Sequence, residues 1–336
     1  MTFYKYNGAG NDFLVADNRD GSIRLTERYI SEICDRHYGV GADGVMLLGD
    51  GSDRFDFTMD YYNSDGSGGM MCGNGGRCIV AFADFLGLSP AAEDGCWAFA
   101  GPDGMHRAYL LRDEKAMEPR ENTRTVRLKM RDISVPRHYD SLKADHAASG
   151  WFIDTGTRHF VRLLDDPVDE KYVDRQGRNL RWTPEFAPLG VNVNFVIGGN
   201  PLEVRTFEKG VEAETCACGT GITASAVAAW LGGIAPASRD LMTGALHYEV
   251  DALNDRLSVD FLPHIRPEDI LRTVPTAQGC DASAQGASAP SHIPVAYGPA
   301  APAQESAASS HDPDAPLFTD VWLTGPATLV AKIDIL

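Results

Sequence analysis

Short runs of β-branched and aromatic residues dominate the hydrophobic pattern of the chain. Runs of this kind, bounded by Gly, Pro, Asn, Asp and Ser, predict strands. Three other stretches predict helices, at residues 27–38, 77–86 and 222–231, and the last two are Ala-rich and strongly apolar. Many strands with a few buried helices indicate an α+β fold. The predicted strands before residue 275 are residues 12–16, 45–48, 55–62, 126–130, 151–154, 160–164, 194–197 and 202–207.

The two halves of the chain resemble each other. Cys-Gly-Asn-Gly at residues 72–75 stands directly before one apolar helix, and Cys-Gly-Thr-Gly at residues 218–221 stands directly before another. Matching features in the same order predict two similar lobes related by a pseudo-twofold axis, with a cleft between them. Chance similarity among Gly-rich segments is the alternative. Two further pairs keep nearly the same offset: residues 10–15 with 156–161, and residues 39–40 with 190–191.

Residues 275–316 differ in composition from the rest of the chain. These 42 positions contain twelve Ala, seven Pro and six Ser, and no Lys or Arg. So few large apolar side chains cannot offset the entropy of ordering the segment, which predicts a disordered insertion. Strand-like patterning resumes at residues 320–325 and 327–335.

The fold is therefore expected to close after the insertion. One lobe is predicted to comprise residues 1–124 plus 324–336 and to contain Cys72. The other is predicted to comprise residues 125–274 plus 317–323 and to contain Cys218.

Charge and cysteine content narrow the class of protein. The 336 residues include 30 Lys and Arg against 47 Asp and Glu, a net charge of −17, which repels phosphate backbones and anionic lipid headgroups. No nucleic acid or membrane partner is expected, since no apolar run reaches membrane-spanning length. Seven cysteines, an odd number, without a secretory signal at the start of the chain argue against a disulfide framework and predict a reducing cytoplasm.

Each Cys-Gly-x-Gly segment carries potential chemistry. A thiol at a helix N-terminus faces unpaired backbone N–H groups and the positive end of the helix dipole, which is expected to lower a thiol pKa from about 8.5. The same N–H groups can bind a carboxylate. Taken singly, such a cysteine is more often a small buried residue. Two of them facing across one cleft, Cys72 and Cys218, suit removal of a proton from one face of a carbon and delivery to the other.

Competing motifs lack the required context. Residues 39–44 match G-x-G-x-x-G, but a predicted helix precedes them and a strand follows, the reverse of the dinucleotide-binding order. The cysteine spacings contain no zinc-type CxxC pair. Neither a metal nor a nucleotide cofactor is expected, and Cys78 and Cys216 are interpreted as packing residues.

At these residues the chain resembles the diaminopimelate epimerase family, pyridoxal-independent enzymes that interconvert LL- and meso-2,6-diaminopimelate in lysine and peptidoglycan precursor synthesis. The resemblance covers nearly everything except the insertion. It implies lobes that are each a mixed sheet or barrel around a buried central helix, a small amino acid substrate and no cofactor. The oligomeric state is left open, a homodimer being one option. The motifs are Gly8-Ala9-Gly10-Asn11-Asp12-Phe13, Tyr62-Asn63-Ser64-Asp65-Gly66, Met71-Cys72-Gly73-Asn74-Gly75-Gly76-Arg77-Cys78, Phe207-Glu208-Lys209-Gly210 and Glu214-Thr215-Cys216-Ala217-Cys218-Gly219-Thr220-Gly221.

The resemblance also implies site residues. Cys72 and Cys218 would be the acid/base thiols, one ionised and one protonated in each resting form, and His159 and Glu208 would adjust their ionisation. An Asn beside Gly or before Ser-Asp-Gly is otherwise more often a turn residue. The residues implied to bind the α-carboxylate or the distal amino acid head are Asn11, Asn63, Gly73, Asn74, Thr157, Asn192, Glu208, Lys209, Gly219 and Thr220.

Three departures from the family pattern bear on substrate recognition. Lys209 stands where Arg is common, which replaces a bidentate fork by a point charge. Thr157-Arg158 stands where Asn-Pro or Ser-Pro is common, and Arg158 is hypothesised to supply the missing guanidinium. Gly44 stands where some members carry Gln, so the contact that this Gln makes in those members is not expected here.

Two other functions remain open at this point. One is a proline or hydroxyproline racemase, or an isomerase with a carboxylate base, of the same fold. The other is a non-enzymatic thiol switch that uses Cys72 and Cys218.

Overall fold

The computed structural model describes residues 1–69, 72–111, 122–265 and 315–335. The fold is α+β, as expected. The helices are α1 (Glu27–Cys34), α2 (Gly73–Phe85), α3 (Glu170–Arg181) and α4 (Gly219–Leu231), with a short 3-10 turn at Pro184–Phe186. The strands are β1 (Thr2–Gly8), β2 (Asn11–Asp17), β3 (Gly44–Gly49), β4 (Phe57–Asn63), β5 (Cys96–Gly101), β6 (Gly104–Leu111), β7 (Thr123–Lys129), β8 (Arg137–Tyr139), β9 (Gly150–Asp154), β10 (Arg158–Leu164), β11 (Asn192–Ile197), β12 (Leu202–Glu208), β13 (Ala213–Thr215), β14 (Ser238–Arg239), β15 (Leu246–Asp251), β16 (Arg256–Pro263) and β17 (Phe318–Asp334).

The first lobe is a closed barrel around α2. Its strands follow one another as β1, β2, β3, β4, β5, β6, β7 and β17, and β17 pairs with β1 to close the ring. The pairs β2–β3 and β4–β5 are parallel, and the others are antiparallel. α2 lies inside the barrel, where eleven of its thirteen residues are buried. A helix that is apolar on all sides is stable only in such surroundings.

The second lobe repeats this topology. β9 to β12 pair as β1 to β4 do, with the parallel pair β10–β11 matching β2–β3. β12 then runs parallel to β15, which continues through β16 to β17, as β4 continues through β5 and β6 to β7. α4 takes the place of α2 and is likewise buried. The expectation of two similar lobes is confirmed by this pairing order.

One long strand joins the lobes. The first part of β17, from Phe318 to Thr324, pairs with β16, and the part from Gly325 onward pairs with β7 and β1. The sequence pattern predicted two separate strand-like runs here. The predicted limits of the two lobes stay a prediction. The predicted insertion at residues 275–316 falls outside the described residues apart from its last two positions.

Helix ends differ from the predicted ones for local reasons. α1 ends at Cys34 rather than at Tyr38, because the Asp35 carboxylate accepts hydrogen bonds from the N–H groups of His37 and Tyr38, both at 2.7 Å, and turns the chain. α2 and α4 begin earlier than predicted, at Gly73 and Gly219, since glycine is a weak helix former that pattern reasoning leaves outside a helix. None of the described helices is long and apolar enough to span a membrane.

α3 was not predicted, and neither were eight of the strands: β1, β5, β6, β8, β13, β14, β15 and β16. α3 is mostly polar, and its fully buried side chains are few, among them Val173 and Leu180. Asp169 is its N-cap, and the side chain of Asp169 accepts a hydrogen bond from the N–H of Tyr172. The helix packs on β12 through Gly177, where a Cβ would lie 2.3 Å from Cβ of Phe207. β12 ends at Glu208, so this contact supports a predicted site residue.

We expect Gly177→Ala to destabilise the protein by about 1–3 kcal/mol, because overpacking against Phe207 outweighs the gain of about 1 kcal/mol in helix propensity. Urea denaturation measures the free energy of unfolding. Gly68→Ala is the control, since a Cβ at position 68 meets open space, and it should change stability by less than about 0.5 kcal/mol. A variant at position 177 as stable as wild type would contradict the close packing of α3 on β12.

Candidate active site between the two helix ends

The N-terminal ends of α2 and α4 meet at two glycines. A Cβ on Gly73 would lie 3.9 Å from Cα of Gly219, and a Cβ on Gly219 would lie 3.7 Å from Cα of Gly73. Leu323 of β17 closes the third side, 2.9 Å from a Cβ at position 219. A Cβ at either position would be in van der Waals contact with the other helix, so side chains longer than that of Ala would separate the helices. The glycines therefore bring two positive dipole ends into one space.

Cys72 and Cys218 occupy equivalent places at this junction. Each is the N-cap of its helix, with extended backbone angles (φ −108°, ψ 128° for Cys72; φ −105°, ψ 109° for Cys218). Cys218 is buried and Cys72 is partly buried. The N–H groups of Asn74 and Gly75 act on the Cys72 sulfur, and the N–H of Gly221 acts on the Cys218 sulfur. Both thiols are thus in the first turn of a helix that buries most of its residues.

The predicted lowering of the thiol pKa values is wrong. Burial raises the pKa of both thiols, and the Glu208 carboxylate raises them further. The helix N–H groups oppose this rise but do not outweigh it. The charge of Cys72 also raises the pKa of Cys218, so the two sulfurs interact electrostatically. The raised pKa values favour neutral thiols, and the one ionised thiol that the family resemblance implied stays a prediction.

Asn74 connects the lobes beside the thiols. Its side-chain N–H group donates to the carbonyl of Ala217 at 3.0 Å and also to Oδ1 of Asn11. Asn11 in turn donates to Asp43 at 3.1 Å. The structure therefore brings Asn11 and Asn74 together at the N-terminal end of α2, next to the segment that leads into Cys218.

Arg77, one turn into α2, places a fully buried positive charge near Cys72. Its guanidinium donates to the carbonyl of Gly73 at 3.2 Å, to Oδ1 of Asn74 at 2.9 Å and to the carbonyl of Pro326 at 3.4 Å. All three acceptors are neutral, so the charge is not cancelled by them. It favours the Cys72 thiolate. Arg77 lies in the motif around Cys72, but its role was not predicted from the sequence.

His159 and Thr157 lie on the side of Cys218. Nε2 of His159 is 2.8 Å from Oγ1 of Thr157 and 3.1 Å from Oγ1 of Thr220, which is itself 3.4 Å from the Cys218 sulfur. Burial lowers the pKa of His159 to about 3, so the ring is neutral at physiological pH. Its ring also contacts Asn194, which was not predicted as a site residue. The only signal in the sequence is that this Asn stands between Val193 and Phe195 in an otherwise apolar run.

Glu208 and Asn192 lie on neighbouring strands of the same lobe. The Glu208 carboxylate accepts from the hydroxyl of Thr215 at 2.8 Å, and its own pKa is raised by burial. Asn192, paired in register with His159, accepts from the backbone N–H of Lys209 at 2.7 Å. The side chain of Lys209 is exposed.

Asn63 and Arg158 make their described contacts away from the thiols. Asn63 ends β4 and donates to the hydroxyl of Ser67 at 3.0 Å within a turn, the alternative that its sequence context allowed. Arg158 donates to the carbonyl of Phe186 at 3.2 Å, and its guanidinium lies 5.3 Å from the ring centre of Phe152. Because strand neighbours point to opposite faces, the inward direction of His159 turns Arg158 away. The hypothesis that Arg158 replaces the missing guanidinium is therefore corrected.

We expect Glu208→Gln to make both thiols more reactive. The Glu208 carboxylate opposes thiolate formation, so its removal lowers both thiol pKa values and increases the thiolate fraction at a given pH. At pH 8 the alkylation rates of Cys72 and Cys218, resolved by peptide mass spectrometry, should rise about three- to tenfold. Glu203→Gln, which removes an exposed carboxylate from the same strand, should leave both rates unchanged. Slower alkylation of either thiol in the Glu208 variant would contradict the electrostatics of the site.

Among the described residues, no three or more His, Cys, Asp or Glu side chains are grouped in a way that could hold a metal ion. The six cysteines within the described ranges are free thiols: Cys34, Cys72, Cys78, Cys96, Cys216 and Cys218.

Solved structures with the same architecture come from several enzyme families. The structure of a Bacillus anthracis phenazine biosynthesis protein of the PhzF family matches with a TM-score of 0.58 and 11% identity, covering 100% of this chain and 99% of the other. A probable proline racemase from Agrobacterium radiobacter K84 matches with a TM-score of 0.57 and 12% identity, covering 100% of this chain and 92% of the other. At such low identity these matches show a common fold and nothing more.

Sequence comparison shows to which of the families that share this fold the chain belongs. The model of the family described as diaminopimelate epimerase matches residues 3–92. The diaminopimelate epimerase of Chlorobaculum tepidum is 41% identical over 223 residues, which cover 66% of this chain and 80% of that protein. The chain belongs to the diaminopimelate epimerase family.

Proposed function

We propose that the protein interconverts LL- and meso-2,6-diaminopimelate by direct proton transfer at the α-carbon, with Cys72 and Cys218 as the two acid/base groups. The observation that supports this most strongly is the pair of N-capping cysteines on two helices whose ends meet at Gly73 and Gly219. The reaction belongs to the isomerases and supplies lysine and peptidoglycan precursors. The partner is a small amino acid, and neither nucleic acid nor a membrane is part of the proposal.

The proposed reaction consists of one proton transfer at each of the two cysteines. The thiolate of one cysteine takes the α-proton, so that a C–H bond breaks, an S–H bond forms and the electron pair remains on the carbon and its carboxylate. The thiol of the other cysteine then gives its proton to the opposite face of that carbon, and its sulfur becomes the thiolate. Each turnover exchanges the protonation states of Cys72 and Cys218. The reverse reaction uses the same two groups in exchanged roles.

The helix ends supply the stabilisation that this step needs. An amino acid α-carbon is a very weak acid, and the negative charge that develops on removal of its proton spreads onto the carboxylate. The N–H groups of Gly73, Asn74, Gly219 and Thr220 precede the first intrahelical bonds, which begin at Gly76 and Ile222. These donors suit the α-carboxylate, with Asn11 held beside them.

The positive charge of the substrate would counteract the rise in the thiol pKa values. A bound α-ammonium group places a positive charge next to Cys72 and Cys218, which favours a thiolate. The half-buried carboxylate of Glu208 suits the ammonium group at the distal end of diaminopimelate, with Asn192 and Asn63 as further binding residues. The exposed Lys209 provides a point charge for the distal carboxylate. Both thiols must stay reduced, which suits the cytoplasm.

Deuterium incorporation tests the two-thiol reaction. In D2O, LL-diaminopimelate should give meso product with deuterium at the inverted carbon, while remaining substrate keeps its proton at early times, as followed by NMR. Cys72→Ser and Cys218→Ser should each lower the rate by about 10²–10⁴-fold, and Cys96→Ala, a buried cysteine outside the site, should not. Inversion of proline instead of diaminopimelate would favour the proline racemase alternative. Reversible oxidation of the two thiols with no exchange of any α-proton would favour the thiol switch.

Arg158→Ala is expected to leave KM for LL-diaminopimelate within about twofold of wild type, because its guanidinium contacts Phe186 and Phe152 rather than the thiols. Initial-rate kinetics at several substrate concentrations measure this. An increase in KM of tenfold or more with unchanged stability would restore Arg158 as a substrate-binding residue.

A further inference from the structure

A chain of hydrogen bonds runs from the interior of the second lobe to the Cys218 sulfur. It begins at the hydroxyl of Thr206 on β12, which donates to Oδ1 of Asn194 on β11 at 2.9 Å. The Asn194 amide nitrogen is 3.0 Å from Nδ1 of His159 on β10. Thr206, Asn194 and His159 are all buried, with 3%, 0% and 0% exposure. Buried polar groups of this kind are rare without partners, and here each has one.

The chain continues through two hydroxyls. Nε2 of His159 is 2.8 Å from Oγ1 of Thr157, which donates to Oγ1 of Thr220 at 2.9 Å. Oγ1 of Thr220 is 3.4 Å from Sγ of Cys218. Gly221 makes room for the chain on the helix side, because a Cβ there would lie 2.5 Å from Oδ1 of Asn194.

The donors and acceptors fix one direction. Oδ1 of Asn194 is engaged by the Thr206 hydroxyl, so the amide presents its N–H to Nδ1 of His159. A neutral imidazole that accepts at Nδ1 carries its hydrogen on Nε2. That hydrogen points to Thr157, whose own hydrogen is directed to Thr220. The hydroxyl hydrogen of Thr220 is then left to donate to the Cys218 sulfur.

We propose that Asn194 and Thr206 are positioning residues that lock His159 in the tautomer with hydrogen on Nε2, so that Thr220 donates a hydrogen bond to the Cys218 sulfur. With the opposite tautomer every donor would reverse, and Thr220 would accept from a Cys218 thiol instead. The chain therefore favours the thiolate of Cys218, the form that removes a proton. This inference rests on the proposed function for its catalytic meaning, but the tautomer and the thiol reactivity exist without substrate.

The charges around Cys218 explain why such a chain is useful. Burial raises the pKa of Cys218, and Glu208 and Cys72 raise it further. The opposing influences are the N–H of Gly221 and the hydroxyl of Thr220. The hydroxyl is the one that the chain orients, whereas among the described residues the main groups acting on the Cys72 sulfur are Gly75, Asn74, Glu208 and Arg77, none of which carries a hydroxyl. An effect on Cys218 alone is the signature of the proposal.

The wild-type protein tests the tautomer directly. Long-range ¹H–¹⁵N spectra of ¹⁵N-histidine-labelled protein distinguish hydrogen on Nε2 from hydrogen on Nδ1, and loss of the signals in His159→Gln assigns them. The proposal predicts hydrogen on Nε2. Hydrogen on Nδ1 in the wild-type protein would overturn it whatever the variants do.

Variants test the consequence for the thiols. Asn194→Asp places a carboxylate that accepts from Nδ1–H, so the tautomer should reverse and alkylation of Cys218 at pH 8 should slow about tenfold, with less than about twofold change at Cys72. Thr206→Val, which adds no charge, should slow the alkylation of Cys218 about two- to fivefold. The control Thr223→Val removes another buried hydroxyl, which donates to the Gly219 carbonyl at 3.0 Å. This variant should change the alkylation rate of neither Cys72 nor Cys218.

The outcomes separate the proposal from its alternatives. Slower Cys218 alkylation in Asn194→Asp with an unchanged tautomer, and no effect of Thr206→Val, would show a simple charge effect and overturn the proposal. Equal slowing of Cys72 and Cys218, or a similar effect of Thr223→Val, would show general disturbance of the site and also overturn it. Deuterium exchange into diaminopimelate, measured on the same samples, reports separately on the proposed function.

Discussion

Two helix ends of the same polarity are held against each other at the centre of the molecule. Each carries about half a positive charge, and in isolation they would repel. Close approach at Gly73 and Gly219 is possible because neither residue has a side chain, and because each helix is buried within its own lobe. An anion relieves the repulsion between the ends. The fold therefore favours the binding of a carboxylate at the place where the cysteines lie.

The thiols at this place are balanced between opposing influences. Burial and Glu208 disfavour the thiolates, whereas the buried charge of Arg77, the helix N–H groups and the oriented hydroxyl of Thr220 favour them. A site that kept a permanent thiolate would be open to oxidation and alkylation. In the proposed function, the thiols stay neutral until the ammonium group of the substrate favours a thiolate, which protects them from oxidation and still provides a base for the reaction. The two lobes reach this balance differently, with Arg77 near one sulfur and a chain of neutral hydrogen bonds near the other.

The features predictable from sequence were those with a local signature. The strands rich in β-branched residues, the two Cys-Gly-x-Gly helix starts and the repeat of the lobes all have one, and the structure contains them. α3 escaped prediction because its few apolar positions, such as Val173 and Leu180, face the sheet from an otherwise polar helix. The direction of Arg158 could have been inferred from strand alternation once His159 was assigned to the site.

Other features had no local signature. The sign of the thiol pKa shifts depends on burial, which results from the packing of both lobes around their central helices and cannot be read from any one segment of the sequence. Nothing in the sequence around Asn194 and Thr206 links these residues to Cys218. The pairing of β11 with β12 places Asn194 and Thr206 side by side. Contacts of this kind belong to the tertiary structure, and they decide how the residues named by a motif behave.

A crystal structure with bound diaminopimelate tests the central claim most directly. The account predicts that the sulfurs of Cys72 and Cys218 lie on opposite faces of one α-carbon, each about 3.5 Å from it, with the α-carboxylate against the two helix ends. An α-carbon with both sulfurs on the same face, or with one sulfur beyond reach of it, would contradict the account.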